Sequence, residues 1–520
     1  MATAVTAGPA LDQLAPNFRG TLLQAGQEGF DQARMVWNAM FDRHPALIAR
    51  CAGPADVISA VNFARSSGLA IAVRGGGHSA GGHGTCDAGM VIDLSAMKGI
   101  RVDPAARTAR AEAGLTWGEF DRETQAFGLA VTGGRFSTTG IAGLTLGSGS
   151  GWLERKCGLT PDNLLSADVV TSDGRLVTAS PTENEDLFWG LRGGGGNFGV
   201  VTSFLYQLHE VGPIIYGGMM VSLPDRAADI VRFMRDYMRD APDDLGAGVA
   251  FVSAPPEPFV PAEMHFKPIV GTVICWTGSQ EEGERVVGPI REAIQPVMDM
   301  VGPMPYTALQ TMLDASGPHG TRAYMKAEFL EELSDGAIDK FVRHGANRPG
   351  PMAQIILEPM GGAISRHGED ETALGRRDVQ WCYHALSMWM DPAPETAEAH
   401  ISWARELAED LAPDTTRGVY LNYTSDMGEE RVRSSYGEEK YGRLVALKDK
   451  YDPDNAFCLN QNIPPSGQAS RSNGAGSGYV RRREPSPGRA DAIVGAPKVT
   501  ASVRRPRGRG SRARASGRSP

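Results

Sequence analysis

Cysteine is sparse in this chain and shows no pattern. Six are scattered over 520 residues, at Cys51, Cys86, Cys157, Cys275, Cys382 and Cys458, with no CxxC pair and no metal-ligand spacing. A chain this long needs no disulfide framework, and a reducing compartment is compatible. No run of about 18 apolar residues occurs, so no transmembrane helix is expected. Met1 to about Gly20 has neither a basic n-region nor a sustained apolar stretch, which argues against a cleaved secretory signal. These absences predict a cytoplasmic protein. The nucleotide motifs are missing too. There is no GxxxxGKS or GxxxxGKT run for phosphate transfer. Gly75–Gly77 lacks the G-x-G-x-x-G spacing and the later acidic residue of a dinucleotide fold. No H-E-x-x-H pattern or His/Cys cluster points to a catalytic metal.

Positive charge is scarce outside the C-terminal end. From Ser466 onward there are thirteen Lys and Arg against Glu484 and Asp491, a local net of +11, so the rest carries −20 of the overall −9. An acidic body is not a nucleic-acid-binding surface. The end is rich in Ser, Gly, Pro, Arg and Ala without apolar periodicity, and is expected to be disordered. A binding role through this arginine-rich end is the alternative of a different class.

Glycine, in contrast, is abundant and clustered. Its 64 residues concentrate around 75–89, 133–151 and 190–199, the distribution of ligand-cradling loops. Strands are expected at Leu47–Ala49, Ile71–Val73, Met90–Leu94, Ala167–Thr171 and Val200–Leu205. Arg101–Ala113 and Ala167–Ala179 read as hairpins. Pro54 opens a helix carrying Val57, Ile58, Val61 and Ala64 at helical spacing. Thr116–Phe127 reads as a helix with Trp117, Phe120 and Phe127 on one side. From about Val211 the texture changes. Candidate strands lie at Val249–Ser253, Ile269–Trp276, Gln354–Leu357 and Trp381–Met390. Ser279 with Glu282 forms a capping box, and Ile401, Ala404, Leu407, Ala408 and Leu411 make an amphipathic stripe. Trp381, Tyr383 and Trp389 could line an aromatic pocket, but strand core suits most of them better. Val419–Tyr423 reads as a strand and Tyr441–Tyr451 as a helix.

The stretch Arg74-Gly75-Gly76-Gly77-His78-Ser79 carries the most chemistry. Three glycines after a buried strand let backbone amides converge on a ligand, which suits a diphosphate. A histidine at once after them has no use in a phosphate site alone. It makes sense beside a flavin ring.

With that loop stand Thr139 to Gly147, Gly158 to Asn163, Leu191 to Gly199, Tyr420 to Tyr423 and Tyr451 to Asn455, in this order. The set resembles the FAD-linked oxidases of the vanillyl-alcohol oxidase superfamily, in the berberine-bridge-enzyme-like branch, over roughly residues 35–463. The resemblance implies an α+β fold: a two-part FAD-binding domain of the PCMH type and a substrate domain on a mostly antiparallel sheet flanked by helices. It implies an N-terminal extension at 1–34, the FAD-binding domain at 35–212, the substrate domain at 213–415, a returning C-terminal segment at 416–463 and a basic tail at 464–520.

It further implies FAD as cofactor, with Arg74, Gly75, Gly76, Gly77, His78 and Ser79 around the pyrophosphate and His78 bonded to the flavin 8α-methyl group. Thr139, Gly140, Gly143, Gly147, Asn163, Asn197, Gly199, Val200 and Asn460 are the remaining cofactor positions. His83 reads as an ordinary loop residue. Many relatives carry a second flavin bond from a cysteine, but Phe136 stands at that position here, so a single covalent link is expected. Cys157 reads as a small buried thiol. The family's late tyrosine serves as base, matching Tyr423 with Tyr420 as fallback. On a regular strand only one of the two could face the flavin. A tyrosine near pKa 10 needs a neighbouring cation to act as base, and Arg417 is in the same segment.

The implied reaction is hydride transfer from a small alcohol, amine or sugar-like substrate to flavin N5, with dioxygen reoxidising the flavin to give hydrogen peroxide. Such enzymes often serve secondary metabolism or catabolism. A dehydrogenase using another acceptor is the near alternative. Neither substrate nor oligomeric state is legible.

Overall fold

A computed structural model describes residues 11–468 except 13, 259, 417, 419, 426 and 427. The basic tail expected beyond 464 lies outside the described residues from 469 onward.

A four-stranded sheet runs in the order Thr21–Leu23, Leu47–Arg50, Met90–Asp93, Ile71–Arg74. Its last three strands are parallel. They read as continuous short apolar runs because parallel strands are covered on both faces, and Ile48, Ala49, Ala72, Val91 and Ile92 are all inaccessible. The segment read as an N-terminal extension supplies the antiparallel edge strand. The helix Pro54–Ser67 starts with proline in its first turn and ends at Gly68, whose φ of 64° closes the helix with bonds to Ala64 and Arg65 carbonyls.

A second, antiparallel sheet orders Ile100–Asp103, Thr108–Glu112, Val200–Gln207, Leu164–Val170 and Leu176–Ala179. The helix Trp117–Gln125 begins at a capping box of Thr116 and Glu119 and buries Trp117 and Phe120 completely. Phe127 does not share that side: it lies past the helix end and is 52% exposed.

An eight-stranded antiparallel sheet contains Met298–Asp299, Ile214–Ser222, Pro268–Trp276, Leu245–Ser253, Gln354–Pro359, Trp381–Trp389 and Arg322–Leu330 in that order, with Gly302–Pro305 paired to Ile214–Ser222. Helices Ala227–Asp240, Gln280–Ile294, Asp335–Ala346 and Pro394–Leu411 cover one face, packing on Tyr324, Leu357, Tyr383 and Trp389. Trp381, Tyr383 and Trp389 are therefore core of that face. Strands Ile214–Ser222 and Arg322–Leu330 escaped the sequence reading. The first is interrupted by Gly217 and Gly218, and the second carries Lys326 and Glu328 in an otherwise apolar run.

The chain then returns. Helix Glu438–Tyr451 buries Tyr441, Leu444, Leu447 and Tyr451 in the same core as the first two sheets. Lys448, fully buried, donates to the carbonyls of Asn197 (2.9 Å) and Phe457 (3.1 Å) and pairs with Asp452 at 2.7 Å. This clamp joins the third glycine block to residues 457–461. The expected strand Val419–Tyr423 is not formed. Leu421–Tyr423 is a 3₁₀ turn in which the Tyr423 amide bonds the Tyr420 carbonyl at 3.0 Å; Val419 lies outside the described residues. Among the described residues no helix is long and apolar enough to cross a membrane.

Candidate active site

The three glycine blocks and the returning segment meet around one cavity. The first two blocks touch backbone to backbone. A Cβ on Gly76 would stand 2.3 Å from the Gly140 nitrogen, and one on Gly147 would stand 1.9 Å from Asn422 Oδ1. Only glycine permits that approach. Gly143 and Gly196 are different: a Cβ there meets nothing within 4 Å, and both line the cavity. Side chains at these two positions would project into open space that the chain keeps clear.

Of the residues expected at the site, Arg74, Gly75, Gly76, Gly77, His78, Ser79, Thr139, Gly140, Gly143, Gly147, Gly199, Tyr423 and Asn460 line the cavity. Arg74 is held by Asp93 at 2.8 Å. Asn460 donates to the carbonyls of Gly196 (3.1 Å) and Phe457 (3.0 Å), and its side-chain oxygen is buried without a partner. Three of the expected cofactor positions, and Tyr420, stand apart from the lining. The Asn163 amide donates to the carbonyls of Cys157 (2.9 Å) and Leu159 (3.0 Å), and its oxygen meets His209. Asn197 donates to Gly194 O (2.8 Å) and accepts from the Ile463 amide (3.0 Å). Both brace loops. Val200 is fully buried and its neighbour Val201 faces the cavity instead, since alternate residues of a strand point oppositely.

His78 stacks on Trp37 with centroids 5.2 Å apart and stands edge-on to His319 at 6.0 Å. Burial, then the His319 ring, push its pKa down to about 3. The imidazole is neutral near pH 7, and its Nε2 is buried without a partner. His83, read as an ordinary loop residue, also lines the cavity with an unpartnered buried Nε2. Burial and the nearby Arg43 hold its pKa near 4. Phe136 lines the same space. Cys157 packs in an apolar cluster away from it, its thiol pushed up to about 12 by burial. A larger open cleft also borders Arg74–Gly77, lined by Arg50, Asp93, Lys98 and Glu119. There Arg50 pairs with Asp93 and Lys98 with Glu119. The glycine-lined cavity is bordered by unpartnered buried atoms, among them His78 Nε2, His83 Nε2 and Asn460 Oδ1.

The 3₁₀ turn brings both tyrosines to one side, with ring centroids 5.1 Å apart. A strand would have separated them. Tyr420 is buried behind, its hydroxyl taking the Ser150 amide. Tyr423 is half-buried and faces the cavity, with the His384 ring edge-on at 4.3 Å.

Behind them lies a cluster that nothing in the sequence announced. Arg135 pairs with Glu358 at 2.9 Å and Glu154 at 3.1 Å, and donates to Ser150 Oγ at 2.6 Å. Glu358 contacts His384 at 2.7 Å. All four ionisable side chains are under 5% exposed. Burial raises the carboxyl pKa of both glutamates. Arg135 and His384 together overcome this at Glu358, whose pKa is lowered. At Glu154 burial wins over Arg135, so its pKa is raised. Burial also raises the Tyr423 phenol, and Arg135 is the charge that opposes it. The tyrosine's cation is thus Arg135, from the second glycine block; Arg417 lies outside the described residues. Arg135 neighbours Phe136 in sequence, but Glu358 and His384 come from strands more than 200 residues away.

A glycine cradle held open, a neutral buried imidazole and a phenol opposed by a buried cation meet around one cavity. Comparison gives the family. The FAD binding domain family matches residues 45–180, and the berberine and berberine-like family matches residues 419–464. An FAD-linked oxidoreductase of Dictyostelium discoideum is 31% identical over 460 residues, covering 88% of this chain and 97% of that protein. The (R)-6-hydroxynicotine oxidase of Paenarthrobacter nicotinovorans is 32% identical over 466 residues, covering 87% and 98%. The crystal structure of 6-hydroxy-D-nicotine oxidase from Arthrobacter nicotinovorans superposes with a TM-score of 0.77 at 29% identity, over 86% of this chain and 98% of that one. The chain belongs to the FAD-linked oxidoreductases of the berberine-bridge-enzyme-like branch. Its fold is α+β with a PCMH-type FAD-binding part.

Proposed function

We propose that this enzyme oxidises a small alcohol, amine or sugar-like substrate and passes the electrons to dioxygen, releasing hydrogen peroxide. Bound FAD supplies the hydride acceptor. The residues of the glycine cradle, Arg74 to Ser79 with Thr139, Gly140, Gly143, Gly147 and Gly199, would hold it, and Asn460 would offer its free oxygen. Asn163, Asn197 and Val200 would act at one remove, by fixing the loops. His78 would carry a single covalent link: its neutral, unpartnered imidazole has the lone pair such a bond requires, and Phe136 leaves no thiol for a second.

Tyr423 would take the proton from the substrate O–H or N–H. Its own proton needs a place to go, and the His384 ring held against Glu358 is in contact with it. Arg135 favours the ionised form of Glu358 and opposes, without overcoming, the effect of burial on the phenol. Tyr420 would position Tyr423 through the rings' contact. The carrying observation is the phenol of Tyr423 facing the glycine cradle with a buried cation behind it. The division at 35–212, 213–415 and 416–463 remains our assignment of domains. The six cysteines, all free, support a cytoplasmic place.

Tyr423→Phe tests the reading. Anaerobic stopped-flow should show a flavin-loaded protein whose reduction by substrate is slower by about 10²–10⁴, the usual worth of a positioned base. Wild-type reduction rates would remove Tyr423 from the mechanism. Peroxide release under turnover separates an oxidase from a dehydrogenase.

A further inference from the structure

The eight-stranded sheet has a second face, and Met325 and Leu386 on it line the same cavity as the glycine cradle. Strand alternation assigns its residues. Tyr324, Ile355, Leu357, Tyr383 and Ala385 go to the helices. The other face carries Met325, Leu386, Met388 and Ile356, gathered with Trp37 and Tyr423 in one apolar cluster. Met325 and Leu386 are direct cross-strand partners, and both line the cavity. Their place relative to Tyr423 is fixed. The Ser425 amide bonds the Met325 carbonyl, and the Met325 amide bonds Ser425 Oγ, each at 3.0 Å.

Polarity on this face is confined to the strand Gln354–Pro359 and its neighbour. Glu358 and His384 contact each other, and Glu358 is also engaged by Arg135. The wall beside Tyr423 therefore offers a substrate two apolar side chains, one of them a flexible thioether that adapts to irregular shapes. A sugar ring brings several hydroxyl groups. Each one buried without a partner loses its hydration uncompensated. A compact apolar group loses nothing there and gains contact.

We infer that the substrate is a mainly apolar amine or alcohol, a ring or short alkyl group with one N–H or O–H directed at Tyr423, and not a saccharide. The inference rests on the proposed flavin oxidation but concerns binding alone, so it is tested without turnover. FAD-loaded enzyme is titrated anaerobically with benzylamine, benzyl alcohol and cellobiose while the flavin absorbance is followed. Benzylamine or benzyl alcohol should give a saturable shift and cellobiose none. Met325→Gln, nearly isosteric, should weaken the aromatic probe about tenfold or more, the scale on which a pocket discriminates a small apolar group, with an unchanged melting temperature. A saturable cellobiose shift, no shift with either aromatic probe, or unaltered aromatic affinity in Met325→Gln would overturn the inference. Failure of the oxidation reading appears elsewhere, as probes that bind but never reduce the flavin.

Discussion

Replacing Arg135 by Met puts the buried cluster to its most direct test. The guanidinium is 4% exposed and holds two carboxylates, at 2.9 and 3.1 Å, that have the same low exposure. Methionine fills similar volume but leaves Glu154 and Glu358 as like charges without their cation. Breaking a buried pair in this way costs about 3–5 kcal/mol. For a chain of this size each kcal/mol lowers the melting temperature by about 2 °C, so a fall of roughly 6–10 °C is expected. The chemistry should move in step. Arg135 is the charge that lowers the Tyr423 phenol against burial. Without it the phenol's pKa rises, and the alkaline limb along which reduction rate increases shifts to higher pH. Differential scanning fluorimetry gives the first quantity and the pH profile of anaerobic flavin reduction gives the second. The double variant Arg135→Met with Glu358→Gln should be less destabilised than the sum of its parts, because the two groups are in contact. A melting point within about 1 °C of wild type, together with an unmoved pH profile, would refute the assignment.

Other outcomes follow from the same geometry. His78→Ala should release FAD on acid precipitation, whereas the wild-type pellet stays yellow; a yellow pellet from the variant would exclude His78 as the tether. Gly196→Val fills space that is now open, so the purified protein should show much less flavin absorbance at an unchanged fold by circular dichroism. Asp121 is fully buried, accepts one bond from Gln310 at 2.8 Å, and has a carboxyl pushed by burial from 3.8 to about 7. Because the folded value lies above the unfolded one, the fold favours the protonated acid. Stability is greatest below about pH 4 for this group and is lost as pH rises to 7, by about 4 kcal/mol. Asp121→Asn should therefore melt higher than wild type at pH 8 and show a flatter stability curve between pH 4 and 7, read by thermal melts across that range.

Elements whose signals are local are legible along the chain. Short apolar runs marked the parallel strands, Pro54 with Val57, Ile58, Val61 and Ala64 marked one helix, and Trp117 with Phe120 another. The glycine blocks announced the cradle because glycine is required wherever Gly76 meets Gly140 or Gly147 meets Asn422, and no other residue hides that need. What local pattern could not decide was direction and distance. Val419–Tyr423 has the composition of a strand, yet the chain there turns to reach the cradle, and only that turn sets Tyr420 and Tyr423 side by side. His83 reads as an ordinary loop residue beside His78, yet both line the cavity. Val200 and Val201 differ by one residue and by which face they present. Arg135, Glu154, Glu358 and His384 sit on a loop, a helix and two strands far apart in the chain. Their meeting depends on the eight-stranded sheet docking against the second glycine block, and a buried charge finds its partner in space, where sequence spacing says nothing.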